Sequence, residues 1–321
     1  MKAIVRIFAC LSLFLLTGAS FAQTYPSRPV RIIVPFAAGG PPDVISRLIA
    51  QKLSERWGQQ VYVENLPGAG GNTGTATAAR ANPDGHTLYM MSTGFIVNPS
   101  LYDKLPYDPI KDFAPVTLVA SSPNVLMVYP GVPARSVTEL IELIRNNPGK
   151  YSYAQPSTGS TPHLSGELFK LRFNLDLVMV PFNGAALAVN STIGGHTPIA
   201  FTALPPAITN IREGKLRGLA VTSPRRAAAL LDVPTMAEAG VPDQEAETLN
   251  GLLVPIGTSK EIVSYLHREV VAAIAMPDVK ERLAALGFEP IGNTPAEFGE
   301  RIKTEMEKWG KVVRDAKLKI E

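Results

Sequence analysis

Five stretches of this chain combine glycine, asparagine and small hydroxyl residues with almost no charge. They are Phe36–Asp43 (FAAGGPPD), Asn65–Gly74 (NLPGAGGNTG), Ser92–Asn98 (STGFIVN), Ser157–Thr161 (STGST) and Phe182–Ala185 (FNGA). Each follows a strand-like run, and four lead into a helix start. At a helix start the first backbone N–H groups lack intrahelical partners, and the helix dipole presents its positive end. Such ends hold an anion without arginine or lysine. Glycine lets the backbone approach closely, and serine and threonine add short donors. The chemistry this supports is reversible capture of a small carboxylate. One loop of this kind could equally be a tight strand-to-helix turn; the set of five points to a ligand.

Bond-making chemistry finds less support. The histidines are His86, His163, His196 and His267, with no metal-ligand spacing, whereas a zinc site needs three or four ligands. His163 falls in the first turn of a helix beside STGST, where it is either a ligand contact or a local structural group. No G-x-S-x-G elbow is present. The run GAGGNTG reads G-x-G-x-x-x-G, with Thr73 where a dinucleotide fingerprint has its third glycine. Asp43 is the one acid in these loops and reads as a helix-start residue. No catalytic residue, metal or cofactor is expected.

The chain has 321 residues, with 31 Lys+Arg against 28 Asp+Glu, a net charge of +3. It contains no basic run or aromatic-basic interleaving, so nucleic acid is not an expected partner. Lys2 and Arg6 precede an apolar run, Ile7 to Leu16, and Ser20 and Ala22 supply the small residues of a cleavage site before Gln23. The expectation is a signal peptide over 1–22 and a periplasmic chain of 299 residues, with 29 basic and 28 acidic groups and a charge of +1. The apolar run is too short for a comfortable membrane span. The only cysteine, Cys10, lies inside this segment, so thiol chemistry is not expected of the exported chain.

The elements that would position the loops read as repeated strand–loop–helix units, the pattern of an α/β fold with parallel sheets covered by helices. Strands are expected at Val30–Pro35, Val61–Glu64, Leu88–Met91, Tyr151–Ala154, Leu177–Val180, Ile199–Phe201, Leu216–Val221 and Leu252–Pro255. A helix is expected from Val44 to Trp57, ended by Gly58, and STGFIVNPS is expected as loop. Pro123 splits the apolar stretch Phe113–Tyr129 into two expected strands, a place for the chain to pass between lobes. Helix starts are expected at Ser136 with Glu139, at Thr161-Pro162, at Thr258 with Glu261, and at Thr294 with Pro295 and Glu297. Two lobes follow: 23–122 plus 224–321, and 123–223, with a cleft at the C-terminal strand ends.

The stretch YPSRPVRIIVPFAAGGPPDVISRLIAQKLSERWGQQVYVENLPGAGGNTGTATAARANPDGHTLYM resembles the opening of the Bug family, the extracytoplasmic solute receptors of tripartite tricarboxylate transport systems. The similarity continues through PSTGSTPHLSGELF, VPFNGAALAVNSTIGGH, GKLRGLAVTSPRR, DVPTMAEAGVP and VPIGTSKEIV. The resemblance implies a two-lobed periplasmic binding protein fold of the type II kind, a monomer that closes on a small carboxylate and delivers it to integral-membrane transporter subunits. Carried onto this chain, it implies first-lobe contacts at Phe36, Ala38, Gly39, Gly40, Asn72, Thr73, Ser92 and Thr93. The second lobe answers with Ser157, Thr158, Gly159, Thr161, Asn183 and Gly184, and Phe36 and Phe182 wall the cleft; His163 and Thr202 are further candidate contacts of this chain's own. Two departures stand out. Pro198 and Thr202 occupy positions where the family often has acids, and Leu249-Asn250 replaces a common S-W-x-G pattern. A less acidic cleft favours a ligand anionic at both ends over aspartate or glutamate. The other reading is an exported lyase or hydrolase acting on a small organic acid, with His163 at work in the cleft; a third is a structural or sensor-partner protein without a small ligand.

Overall fold

The structure is a computed structural model and describes residues 25–156, 159–182 and 184–319. Its elements run β1 (Val30–Val34), α1 (Pro41–Trp57), β2 (Val61–Asn65), α2 (Asn72–Ala79), β3 (Thr87–Ser92), α3 (Thr93–Leu101) and β4 (Phe113–Val128). Then come α4 (Val137–Arg145), β5 (Ser152–Gln155), α5 (Thr161–Phe173), β6 (Val178–Pro181), α6 (Ala185–Ile193), β7 (Ile199–Ala203), the short α7 (Ile208–Arg212) and β8 (Arg217–Val221). The chain continues with β9 (Glu247–Pro255), α8 (Lys260–Ile274), α9 (Pro277–Ala285), β10 (Glu289–Pro290) and α10 (Pro295–Asp315). Among the described residues no helix is long and apolar enough to cross a membrane. The expected signal peptide lies outside the described residues.

The strands line up as β2-β1-β3-β9-β4-β7-β5-β6, with β8 and β10 also on β4. The outer pairs of each lobe are parallel: β1 with β2 and β3, and β5 with β6 and β7. The strands nearest the lobe crossing are antiparallel, because β9 and β4 run back between them. Two buried apolar clusters lie mainly in each lobe, and one of the first lobe's also takes in Leu164 of α5. Val30, Ile32, Val34, Ile45, Ile49 and Leu53 pack on one face of the first lobe, and Tyr89, Phe95, Phe298 and Trp309 on the other. In the second lobe Leu126, Val128, Tyr153, Phe169 and Phe201 form one cluster, and Val125, Met127, Ala154 and Leu204 the other.

Three expectations change. The split at Pro123 does not occur: β4 is one strand of 16 residues that changes partners there, from β9 and β10 to β7 and β8. Proline lacks an N–H, and a partner change is where a missing donor disturbs the ladder least. STGFIVNPS is not loop but forms α3, which packs against α10 and is buried along most of its length. Residues 224–245 do not join the first lobe's core as expected, since Leu230, Val233, Met236 and Val241 pack into the second lobe's clusters. A smaller change concerns α8, which is capped by Ser259 accepting the Ile262 N–H, while the Thr258 hydroxyl donates to Pro255 O at 2.7 Å. The expected box at Thr294 is present, with Thr294 and Glu297 bonded reciprocally.

Where the chain crosses between lobes, Asn124 and Thr222 lock the two passes together. Asn124 N–H donates to Thr222 Oγ1 at 2.8 Å, Thr222 N–H donates to Asn124 O at 2.9 Å, and Asn124 Nδ2 donates to Ala246 O at 3.1 Å. The Thr222 hydroxyl also donates to Ala246 O. Both side chains are fully buried, so these bonds are shielded from water.

Candidate ligand-binding site

Three first-lobe loops meet at the ring of Phe36. The ring is half-buried on the β1 side of the core. A Cβ placed on Gly71 would sit 3.4 Å from Phe36 Cζ, and one on Gly94 would sit 3.9 Å away. The starts of α2 and α3 therefore both lie within van der Waals reach of one aromatic ring. Gly71 also has φ +94°, which a side chain would strain.

The loop ahead of α1 is fixed by Asp43. Its Oδ2 accepts from Gly39 N–H at 2.9 Å and Arg47 Nε at 3.0 Å, and its Oδ1 accepts from Asn65 Nδ2 and Arg47 Nη2, both at 2.9 Å. Asn65 Nδ2 also donates to Phe36 O at 3.0 Å. Burial opposes ionisation of Asp43, but hydrogen bonds from Arg47, Gly39 and Asn65 hold its carboxyl below the usual aspartate range. The acid is committed to the loop and α1. Ala38 and Gly39 are exposed, and Gly40 is the N-cap of α1.

The remaining first-lobe candidates divide by role. Asn72 is buried, and its Oδ1 accepts from Asn98 Nδ2 at 2.7 Å and Tyr107 Oη at 2.8 Å, so that oxygen holds the α2 start to α3. Thr73 is exposed. Ser92 caps α3 by position, but its side chain makes no cap bond. Thr93 is buried, and its Oγ1 accepts the Leu249 N–H at 3.0 Å, tying α3 to β9.

The second-lobe candidates gather at the ends of β5, β6 and β7. Phe182 N–H donates to Gln155 O at 2.9 Å, and Gly184 N–H donates to Pro156 O at 2.8 Å, which brings the two loops side by side. Gly159 takes φ +78° and Gly184 φ +122°. Thr161 begins α5, and Phe182 is half-buried against the second-lobe core. His163 is fully buried; its Nδ1 accepts the Gly159 N–H at 3.0 Å, which leaves the ring proton on Nε2. Burial depresses its basicity, keeping it neutral. That bond ties the Gly159 turn to the first turn of α5. Thr202 is buried with its Oγ1 unpaired among the described residues. Ser157, Thr158 and Asn183 lie outside the described residues.

A groove of about 250 Å³ lined by Pro123, Arg225, Arg226, Gly287 and Phe288 among others contains none of these candidates. Among the described residues no group of three His, Cys, Asp or Glu side chains is placed to hold a metal. Asn250 on β9 belongs to none of the five loops. It is fully buried, with both carboxamide atoms unpaired among the described residues.

A family model described as "Tripartite tricarboxylate transporter family receptor" matches residues 45–318. The chain belongs to this receptor family. Protein BugT of Bordetella pertussis (strain Tohama I) is 36% identical over 321 residues, covering 98% of each chain. The solved structure of R. palustris Rpa4515 with adipate has a TM-score of 0.82 at 34% identity, covering 92% of this chain and all of that one. MatC (Rpa3494) from Rhodopseudomonas palustris with bound malate has a TM-score of 0.78 at 32% identity, covering 90% of this chain and all of that one. The chain is thus a two-lobed, solute-binding receptor of the tripartite tricarboxylate type.

Proposed function

We propose that this receptor works in the periplasm after removal of its signal peptide, captures a small dicarboxylate, and passes it to the integral-membrane subunits of a tripartite tricarboxylate-type transporter. The first-lobe loops at Phe36, Ala38, Gly39, Gly40, Thr73 and Ser92 hold one carboxylate. The second-lobe loops at Ser157, Thr158, Gly159, Thr161, Asn183 and Gly184 hold the other, and closure about the Asn124–Thr222 crossing buries the ligand between Phe36 and Phe182. The observation that carries this reading is the meeting of two helix starts and the Phe36 loop at one ring, with the one acid of those loops turned inward. Such a surface offers oriented N–H donors and no side-chain charge of its own. Adipate and malate in two structural relatives support the ligand class. Binding rather than turnover is the activity, since the buried His163 spends Nδ1 on Gly159.

Calorimetric titration with a panel of dicarboxylic acids tests this. At least one acid should bind saturably at one per chain and be recovered unchanged. Failure of every acid at millimolar concentration overturns the reading.

A further inference from the structure

Asn250 is 0% exposed, and neither Oδ1 nor Nδ2 finds a partner among the described residues. A carboxamide buried in that way destabilises the fold unless something other than the chain's own polar groups completes it. Its position indicates what that is. In the antiparallel registers, Asn250 lies opposite Ser92 on β3 and opposite Ala120 on β4. Directly opposed residues share a sheet face, with Cβ atoms about 4.5–5.5 Å apart. The face continues through Met90 and Leu252 into the first-lobe core, against which Phe36 packs. Asn250 therefore lies directly across the β3–β9 pair from Ser92, whose side chain makes no cap bond, at the start of the nine-residue helix α3. The first N–H groups of that helix point out of its end for lack of intrahelical acceptors.

We propose that Asn250 is a ligand-recognising residue, and that with the α3 start it reads a carboxylate flanked by a hydroxyl, as in a 2-hydroxy dicarboxylate. This rests on the dicarboxylate reading above and narrows it. The α3 N–H groups and Asn250 Nδ2 donate to the carboxylate oxygens. Oδ1 still needs a donor, and an unsubstituted dicarboxylate has none at that end. A hydroxyl on the adjacent carbon supplies it. An ammonium there would also donate, but it would bring a charge that a neutral carboxamide does not balance.

The test is titration of the wild-type chain and Asn250→Leu with malate and succinate, beside thermal melts without ligand. The wild type should bind malate about tenfold tighter than succinate. In Asn250→Leu the two acids should bind within about twofold of each other, with an unliganded melting temperature no lower than wild type, because leucine fills the site without an unsatisfied amide. A structural role would instead lower the melting temperature and leave the ratio intact. Asn250→Asp, which keeps the shape but exchanges the donor for a negative charge, should weaken both acids at least about tenfold, and it decides the question if the leucine variant does not fold. Equal wild-type affinities, a preserved preference in Asn250→Leu, or unweakened binding in Asn250→Asp overturns the inference alone. Binding of neither acid by the wild type overturns the dicarboxylate reading and the inference with it.

Discussion

Replacing Asp43 by asparagine separates a loop-fixing acid from a ligand-facing one. The carboxylate accepts four bonds, two at each oxygen, from Gly39, Asn65 and Arg47. An asparagine keeps one accepting oxygen and turns an amino group toward the other pair of donors, so two bonds are lost whichever way it is oriented. One lost partner is always Arg47, whose side chain is 54% exposed. That bond counts for about 1 kcal/mol or less. The other, to the Gly39 N–H or Asn65 Nδ2, is shielded and charge-assisted, worth about 1.5–3 kcal/mol. The expected loss is about 2–3 kcal/mol at neutral pH, measured by urea unfolding of both proteins. The folded-state carboxyl is held below its ordinary value of 3.8, so its stabilisation is complete above that value and fades as pH falls through the folded one. The gap between wild type and Asp43→Asn should therefore shrink on acidification. Dicarboxylate affinity should also drop, because the Gly39 turn is no longer held. A gap under about 0.5 kcal/mol at neutral pH, or one that widens in acid, refutes this account. An altered affinity for amino acids with no change in stability would instead make Asp43 a ligand group.

Other measurements reach other parts of the molecule. Succinate should bind at least about fivefold tighter than aspartate at one pH and salt concentration, because a buried ammonium would lack a counter-charge; equal affinities refute it. Glu247 is pushed above the ordinary glutamate value of 4.5 by burial, with Ser121 and Arg301 opposing and Glu289 and Glu305 adding to the rise. Its raised folded value means stability present in acid is lost as pH climbs through that value, so Glu247→Gln should melt higher than wild type at neutral pH and lose part of that gain in acid. Gly251→Ala would put a Cβ 2.1 Å from Phe298 Cζ in the packed core, and should lower stability by about 1–3 kcal/mol in chemical denaturation. Burial lowers the His163 basicity, so the fold should lose stability as pH drops below the ordinary histidine value of 6.5, and His163→Gln should flatten that part of the profile.

The outer strands and most helix boundaries were legible because their signals are local. Gly58 ends α1 in the left-handed conformation, and Thr294 with Glu297 opens α10 with a full box. Helix α3 was not legible, because Phe95, Ile96, Val97 and Leu101 are apolar on several sides and Pro99 lies inside it. No 3.6-residue stripe marks a helix that is buried against both β3 and α10. The continuous β4 was hidden for a different reason. Pro123 argues against a central strand only while one partner is assumed for the whole length, and here the partner changes at that residue.

The same distinction applies to the site. Gly39, Gly71, Gly94, Gly159 and Gly184 announce their loops in short contiguous words, while the N–H groups of Gly39, Gly71, Gly159 and Gly184 themselves bond to Asp43, Gly68, His163 and Pro156 and so fix the turns. Asn250 gives no such signal. Its place beside Ser92 depends on the antiparallel register of β3 with β9, which only the folded sheet sets. Shifting that register by one residue would turn Asn250 to the opposite face, where Leu249 and Leu253 pack with Phe298, and would bring Leu249 beside Ser92. The packing of Gly251 against Phe298 opposes such a slip, since no other residue of β9 leaves room for that ring. The glycine that sets the core packing thus also fixes which face the neighbouring asparagine presents. A substitution at Gly251 should for that reason disturb ligand affinity as well as stability, whereas a cavity made at Leu253, on the far face, should reduce stability and leave the preference between malate and succinate unchanged.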